Sequence, residues 1–339
     1  MGILTLSQPL LRGVMQRLRK IVARYKHLPL FLATITILVV PACHSDTSQL
    51  KQNQTYLATT RIVNHALGEV EIPVSPHRVV VLHDHLLACV MELGFKPIGS
   101  TYNVYGEDNQ YFRGIPSEWT DSIAKVGVND QPSLEAVLDL APDLILGRDL
   151  GNSVNEMYYK QLSAIAPTVI VKDSEGYLSQ SKYIAEILGR SDIAEKLQIE
   201  YEDRIQNLRQ QLAENLSNIT ISVISSVGGG NFVTFSANDI YDQIFNEIGL
   251  RRPPIQQNQK EIRLVHSIET LHEHDADVVF VRNFGESPDK FLSFLKQPLV
   301  LQLRAAQNNR VYEVHWLGGN YLVANRIIDD LYKYLVHKD

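Results

Sequence analysis

Two arginines lie 134 residues apart at matching places in a segment that occurs twice. Ser133 to Leu146 reads S-L-E-A-V-L-D-L-A-P-D-L-I-L, and Ser267 to Phe280 reads S-I-E-T-L-H-E-H-D-A-D-V-V-F. Each copy opens on Ser, an aliphatic residue and Glu, then carries Asp before an apolar run. Each run ends close to an arginine, Arg148 in the first copy and Arg282 in the second. A guanidinium is permanently charged and donates two parallel hydrogen bonds, so a pair of them suits carboxylate-like oxygens on one shared ligand. Ordinary surface ion pairs would give the same letters. What favours the ligand is position, because a duplicated helix-to-strand unit implies two similar lobes with the arginines at corresponding strand ends.

Other residues with chemistry cluster at similar places. His83 and His85 flank Asp84 directly after the apolar run Val79–Leu82. The triplet reads as a metal-ligand set, as a hydrogen-bonding rim, or as a helix start at which Asp84 accepts backbone N–H groups. The cap is expected for Asp84, with His83 and His85 at the rim. His315 and Trp316 follow the apolar stretch Val311–Val314, and Tyr102, Tyr105, Tyr111 and Phe112 crowd one long loop. Aromatic walls suit bulky, partly apolar cargo, although such a loop can also pack on itself. Asn231 and Phe232 close a G-G-G-N-F stretch that lacks the lysine of a phosphate loop, so it reads as a backbone-rich edge of the site. His272 and His274 take the places of Leu138 and Leu140 in the first copy, which suggests partly exposed structural roles. The His and carboxylate residues are not spread as a closed four-ligand set, so neither a resident metal nor a cofactor is expected. No G-x-S-x-G elbow and no H-E-x-x-H occurs, and no nucleophile stands out with a base, so no catalytic residue is assigned.

The elements that must position these groups alternate. Arg61–Ile72 reads as a hairpin turning near Gly68, Val79–Leu82 as a doubly buried strand, and Asp84–Leu93 as a helix stopped by Gly94. Lys96–Gly99, Leu144–Leu146 and Thr168–Val171 read as further strands, with helices over Leu134–Leu140 and Asn155–Ile165 between them. Such alternation predicts an α/β fold with mainly parallel sheets. A helix from Leu178 to Leu188 leads into a much longer one, from Asp192 to about Asn215, with Ser191 as its expected N-cap. Its stripe of Ile193, Leu197, Tyr201, Ile205, Leu208 and Leu212 repeats every three or four residues. The pattern then restarts with a strand over Ile219–Ser225, a glycine-rich turn over Val227–Asn231, a helix over Ile240–Ile248, a strand over Val311–Val314 and a closing helix over Tyr321–Val336. The expected organisation is therefore an N-terminal lobe over 59–177, a connecting helical segment over 178–215 and a C-terminal lobe over 216–339. The two Rossmann-like lobes are joined by one long rigid helix, with the ligand cleft between them.

The chain of 339 residues opens differently. Residues 1–42 carry six basic and no acidic residues, and a 13-residue apolar run, Leu28–Val40, ends in V-P-A-C at Cys43. That run is short for a bilayer span and right for a signal-peptide core. With small Ala42 before the cysteine, the segment resembles a lipoprotein signal, in which Cys43 becomes the lipidated N-terminus and residues 43–58 form a flexible tether. A plain secretory signal or an uncleaved anchor is the alternative. Removing six positive charges and no negative ones takes the net charge from −6 to −12. An acidic mature body argues against nucleic acid as a partner. With Cys43 lipidated, Cys89 is alone and no intrachain disulfide forms.

Several stretches resemble one family. H-A-L-G-E-V-E-I-P-V-S-P-H-R-V-V-V-L (65–82), P-S-L-E-A-V-L-D-L-A-P-D-L-I-L (132–146) and I-A-E-I-L-G-R-S-D-I-A-E-K-L (184–197) are similar to segments of the periplasmic binding proteins for ferric siderophores, haem and vitamin B12. The resemblance runs from about Thr59 to the C-terminus. It implies two α/β lobes joined by one rigid helix, and capture of cargo outside the cytoplasmic membrane for an ABC-type permease. A monomer is expected. The resemblance implies an acidic residue exposed on each lobe for permease docking; Glu156 and Asp242 fall near the expected helices. A ferric siderophore or ferric citrate-like complex fits the paired arginines best. Haem or cobalamin is the alternative cargo, and a ligand sensor or an extracytoplasmic hydrolase the alternative class. If the signal reading holds, Cys43→Ser stops incorporation of labelled palmitate and releases the protein from the membrane fraction; label retained in that variant would refute it.

Overall fold

Three strands of the first half, Val79–Leu82, Leu144–Arg148 and Thr168–Val171, are short β-branched or leucine-rich runs buried on both faces, and they lie side by side in one sheet. The structure is a computed structural model, which describes residues 59–103, 115–149, 153–172, 177–213, 219–228, 230–235, 239–257, 261, 263–283 and 288–336. The chain starts with an antiparallel hairpin, β1 (Thr60–His65) and β2 (Gly68–Pro73), turning at Gly68, whose φ of 128° only glycine adopts easily. Then come β3 (Val79–Leu82), α1 (Asp84–Glu92), β4 (Gly99–Tyr102), α2 (Ser117–Thr120), β5 (Ala124–Val128), β6 (Gln131–Pro132), α3 (Leu134–Asp139), β7 (Leu144–Arg148), α4 (Ser153–Ser163), β8 (Thr168–Val171) and α5 (Tyr177–Leu188). The sheet order is β6-β5-β4-β3-β7-β8, parallel throughout except for β5 with β6. The strand read at Lys96–Gly99 begins instead at Gly99. Pro97 has no N–H to give to a ladder, and only the Ile98 amide reaches Val79, at 2.9 Å.

Helix α6 (Ser191–Leu212) follows, 22 residues or about 33 Å long. Arg190 rather than Ser191 occupies the cap position and makes no side-chain capping bond. The predicted stripe is the buried face. At its start Ala194 lies in the core of the first lobe, with Ile193 and Leu197 packed against it. Farther along, Tyr201, Ile205, Leu208 and Leu212 lie in the core of the second lobe, and Leu197 packs against that core too.

The second lobe contains β9 (Ile221–Gly228), β10 (Asn231–Phe235), α7 (Ile240–Ile248), β11 (Arg263–Ser267), a 3-10 turn over Ile268–His274, β12 (Val278–Arg282), α8 (Pro288–Leu295), α9 (Pro298–Leu301), α10 (Arg304–Gln307), β13 (Val311–Val314) and α11 (Tyr321–Leu331). Its order is β11-β10-β9-β12-β13. Strands β9, β12 and β13 are parallel, while β10 runs antiparallel to both its neighbours. Neither β10 nor β11 is evident in the sequence. β10 starts inside the stretch read as a glycine-rich turn, and β11 is an edge strand whose residues alternate between exposed and half-buried instead of forming an apolar run. Helix α7 ends at Gly249, which closes it in the left-handed region at φ 93°. Among the described residues, no helix is long and apolar enough to cross a membrane.

Because Leu208 is fully buried between α6 and the second core, Leu208→Ala should lower unfolding stability by about 2–5 kcal/mol in urea titrations. Ile199→Ala, on the same helix but 53% exposed, should change it by no more than about 0.5 kcal/mol. Equal losses at the two positions would show that the helix does not use this face.

Candidate ligand-binding site

In α/β sheets, ligands gather beyond the carboxyl ends of the parallel strands. In the first lobe those ends carry His83 and His85 after β3, Tyr102 at the end of β4, Asn129 after β5 and Arg148 at the end of β7. His83, not Asp84, holds the cap position of α1, with its Nδ1 3.2 Å from the His85 amide nitrogen. Asp84 is the first residue of the helix and is buried. Its Oδ1 accepts the His85 amide at 3.0 Å and the Asn129 side-chain amide at 2.8 Å, and lies 3.1 Å from His83 Nδ1. Burial would push this carboxyl up. The His83 hydrogen bond, the charges of His85 and His83 and the Asn129 amide outweigh burial and hold it well below the usual range. The Asn129 Oδ1 also accepts from Thr101 Oγ1 at 3.0 Å, and its backbone N–H donates to the Tyr102 carbonyl at 2.8 Å. Asp84 and Asn129 thus lock the ends of three strands and set the histidine rings, whose centroids are 5.3 Å apart and edge-to-face. Sequence reasoning missed Asn129; its signal was an Asn-Asp pair at a strand end, where Asp130 takes a positive φ of 65°.

The two arginines occupy matching strand ends but unlike surroundings. Arg148 is half-buried at the end of β7, close enough to α1 that its charge acts on Cys89. Arg282, at the end of β12, is buried. Its Nη1 donates to Asp239 Oδ2 at 2.7 Å, and its Nε and Nη2 donate to the Trp316 carbonyl at 3.1 and 2.7 Å. Its guanidinium lies 4.7 Å from the Phe235 ring centre and 5.2 Å from that of Tyr241. A matched pair of exposed clamps is therefore not what the fold builds: the second arginine has an internal anion and an internal carbonyl.

Several expectations fail for the same reason, that the second lobe buries them. Trp316 is wholly buried against Phe280, Tyr241 and Phe245, with its indole N–H donating to Asp330 at 2.7 Å. Phe232 is wholly buried, stacked on His266 and edge-on to His274. His274 is buried as well, where partial exposure was expected; burial and the nearby charges of His266, Arg252 and His272 push it down to about 4, so it stays neutral near neutral pH. Asp242 is no docking acid: it lies on the buried face of α7, paired with the buried Arg252. His315 and Asn231 are exposed at strand ends, as a rim requires. Tyr105, Tyr111, Phe112, Cys43 and the side chain of Glu156 on α4 lie outside the described residues.

Removing the Arg282 side chain strands the Asp239 carboxylate in the core, so Arg282→Ala should cost about 3–5 kcal/mol of stability in urea unfolding. Arg148→Ala should cost clearly less. Equal midpoints for Arg282→Ala and the unaltered protein would mean that the ion pair is not buried in solution.

A family model described as periplasmic binding protein matches residues 79–315. The probable siderophore-binding lipoprotein YfiY of Bacillus subtilis (strain 168) is 26% identical over 329 residues, covering 92% of this chain and 98% of the relative. The Fe(3+)-citrate-binding protein YfmC of the same organism is 25% identical over 285 residues, covering 82% and 86%. Among solved structures, Staphylococcus aureus SirA complexed with staphyloferrin B is similar at a TM-score of 0.68 and 27% identity, over 83% of this chain and 100% of that one. The family match runs from the first strand of one sheet to the residue after the last strand of the other, across both lobes and the helix that joins them; the chain belongs to the periplasmic binding protein family, and its site holds a ligand rather than transforms one.

Proposed function

We propose that this protein is an exported, lipid-anchored solute-binding protein that captures a ferric siderophore or ferric citrate-like chelate and delivers it to an ABC-type permease. One observation carries the reading: relatives aligned over nearly their whole length are named for binding a siderophore or ferric citrate. The chemistry of the first-lobe rim agrees with it. His85 and Tyr102, held in place by the Asp84–Asn129 network, offer hydrogen bonds and ring faces, and Arg148 offers a permanent positive charge. That set suits a chelate whose surface is rich in anionic oxygens and whose iron arrives already coordinated. In this reading Arg148 makes the main charged contact, while Arg282 shapes the second lobe from within. The rigid α6 limits lobe motion, so the cargo meets a largely preformed site. The anchor is the lipid on Cys43, and the protein acts as a monomer.

Calorimetric titration tests this directly. Ferric hydroxamate or ferric citrate complexes should bind, and the iron-free chelators should bind more weakly. Arg148→Ala should weaken binding of the anionic ferric complex by about 10- to 100-fold, the worth of one charge-assisted hydrogen-bonded contact. Absence of heat with every ferric chelate, alongside tight binding of haem or cobalamin, would overturn the cargo assignment.

A further inference from the structure

Strand β8 ends the first sheet, so alternate residues along it turn their backbone groups away from β7, with no further strand of that sheet to receive them. Ile170 is one of these, and the turn end of the β1–β2 hairpin covers it. The Ala66 N–H donates to the Ile170 carbonyl at 3.0 Å. The Ile170 N–H donates to a side chain, the imidazole of His65, with Nδ1 at 3.4 Å. The Leu67 N–H donates to the same Nδ1 at 3.2 Å. Across the ring, Nε2 lies 3.1 Å from the Tyr159 hydroxyl of α4, and the two ring centres are 5.4 Å apart. The whole His65 side chain is buried.

These contacts fix where the ring holds its proton. A backbone N–H can only donate, so Nδ1, which faces two of them, is the bare nitrogen, and Nε2 carries the single proton of a neutral imidazole towards the Tyr159 oxygen. A second proton has to sit on Nδ1. There it removes the acceptor from both amides and sets one N–H against two others.

We propose that His65 is an acid-sensitive clasp that seats the turn end of the hairpin on the free edge of β8, closed while Nδ1 is bare and released when Nδ1 takes a proton. The open end has no amides converging on Nδ1, so it binds a proton more tightly than the closed end does. Closure therefore weakens as pH falls. Burial, and then the charge of Lys172, act in the same direction and lower the closed ring from its ordinary 6.5. The clasp is at full strength above 6.5, loosens as pH falls below it, and is lost as pH passes the lowered value of the closed ring. Opening is local. The other end of the hairpin stays held by Val63 and Ile72 in the first core and by Arg61, whose Nη2 donates to the Glu186 and Ile187 carbonyls at 2.5 and 3.0 Å.

Few other ionisable groups surround the ring. Across the hairpin His65 faces Gly68, and Glu69 lies opposite Asn64. Lys172 follows β8, and Tyr159 comes from α4. On α5, the Tyr183 hydroxyl donates to the Asn64 carbonyl at 2.6 Å. Burial and then the Glu186 charge push that phenol up, against the Arg61 charge, so it keeps its proton throughout the window.

Hydrogen exchange at the Ile170 and Leu67 amides of the full-length protein reads the clasp without any cargo. Corrected for the intrinsic pH dependence of exchange, protection at both should fall between about pH 7 and pH 5, by no more than about tenfold per pH unit, the limit for one proton. His65→Asn sets an amide oxygen roughly where Nδ1 lies and does not titrate, so it should keep the protection and lose the pH dependence. Nitrogen-15 NMR of the unaltered protein needs no variant: at neutral pH the proton should be on Nε2 with Nδ1 bare, and the His65 midpoint should lie below 6.5. A proton on Nδ1 at neutral pH, a midpoint at or above 6.5, or the same exchange curve in His65→Asn would overturn the proposal.

Discussion

One helix belongs to two hydrophobic cores. The buried stripe of α6 starts in the first core at Ala194 and ends in the second at Leu212, with Leu197 in contact with both. Apolar burial is non-directional, but a single helix about 33 Å long cannot bend sharply without a proline or a break, and α6 has neither. The relative positions of the two sheets are therefore set chiefly by which turns of α6 each core grips. Every group at a strand end inherits its place from that constraint. The contact of α1 with α11, where Glu92 Oε2 accepts the Leu322 amide at 3.1 Å, is a second, polar tie across the same two bodies.

The lobes use their strand ends differently. In the first, the polar groups at the ends of β3, β4 and β5, the buried His83 among them, form one network around Asp84 and Asn129, which leaves His85 and Tyr102 half-buried at the rim. In the second, the charges turn inward. Tyr241 lies between two guanidiniums, with Arg252 at 5.3 Å and Arg282 at 5.2 Å from its ring centre, and each arginine has its own aspartate. Gln256 extends the network to Ser222 at 2.7 Å and His274 at 3.0 Å. Buried ion pairs of this kind add little net stability over apolar residues but are costly to break, so they act as fixed internal scaffolding. The duplicated sequence unit thus yields one lobe with an outward-facing polar rim and one with an inward-facing charged core.

Much of this was legible from spacing alone. The stripe of α6, the doubly buried runs at Val79–Leu82 and Leu144–Leu146, and helix α7 over Ile240–Ile248 each follow from local periodicity. The serines that open the repeats are caps in the structure, a role not read from the sequence: Ser133 Oγ accepts the Ala136 amide at 3.3 Å, and Ser267 Oγ accepts the Glu269 amide at 3.4 Å. The strands β10 and β11 were hidden, because an antiparallel edge pair needs only a partner, not an apolar run. Among the site residues, strand-end placement was readable for Arg148, His83, His85, Asn231 and His315, whereas Tyr102, read as a loop residue, is the last residue of β4. Accessibility was not, which is why Trp316, Phe232 and Asp242 were misread as surface groups.

The sequence by itself determined most of the helices, the apolar parallel strands and the division into two α/β lobes, because these follow from periodicity among near neighbours along the chain. The tertiary structure alone decided which strand-end groups meet solvent and which meet an internal partner. Arg148 and Arg282 share a repeat position. Only the packing of Asp239 and the Trp316 carbonyl around one of them makes it a structural ion. Glu92 shows the same limit from the other side. Nothing in A-C-V-M-E-L marks that glutamate until α11, 230 positions away, sets an amide against it.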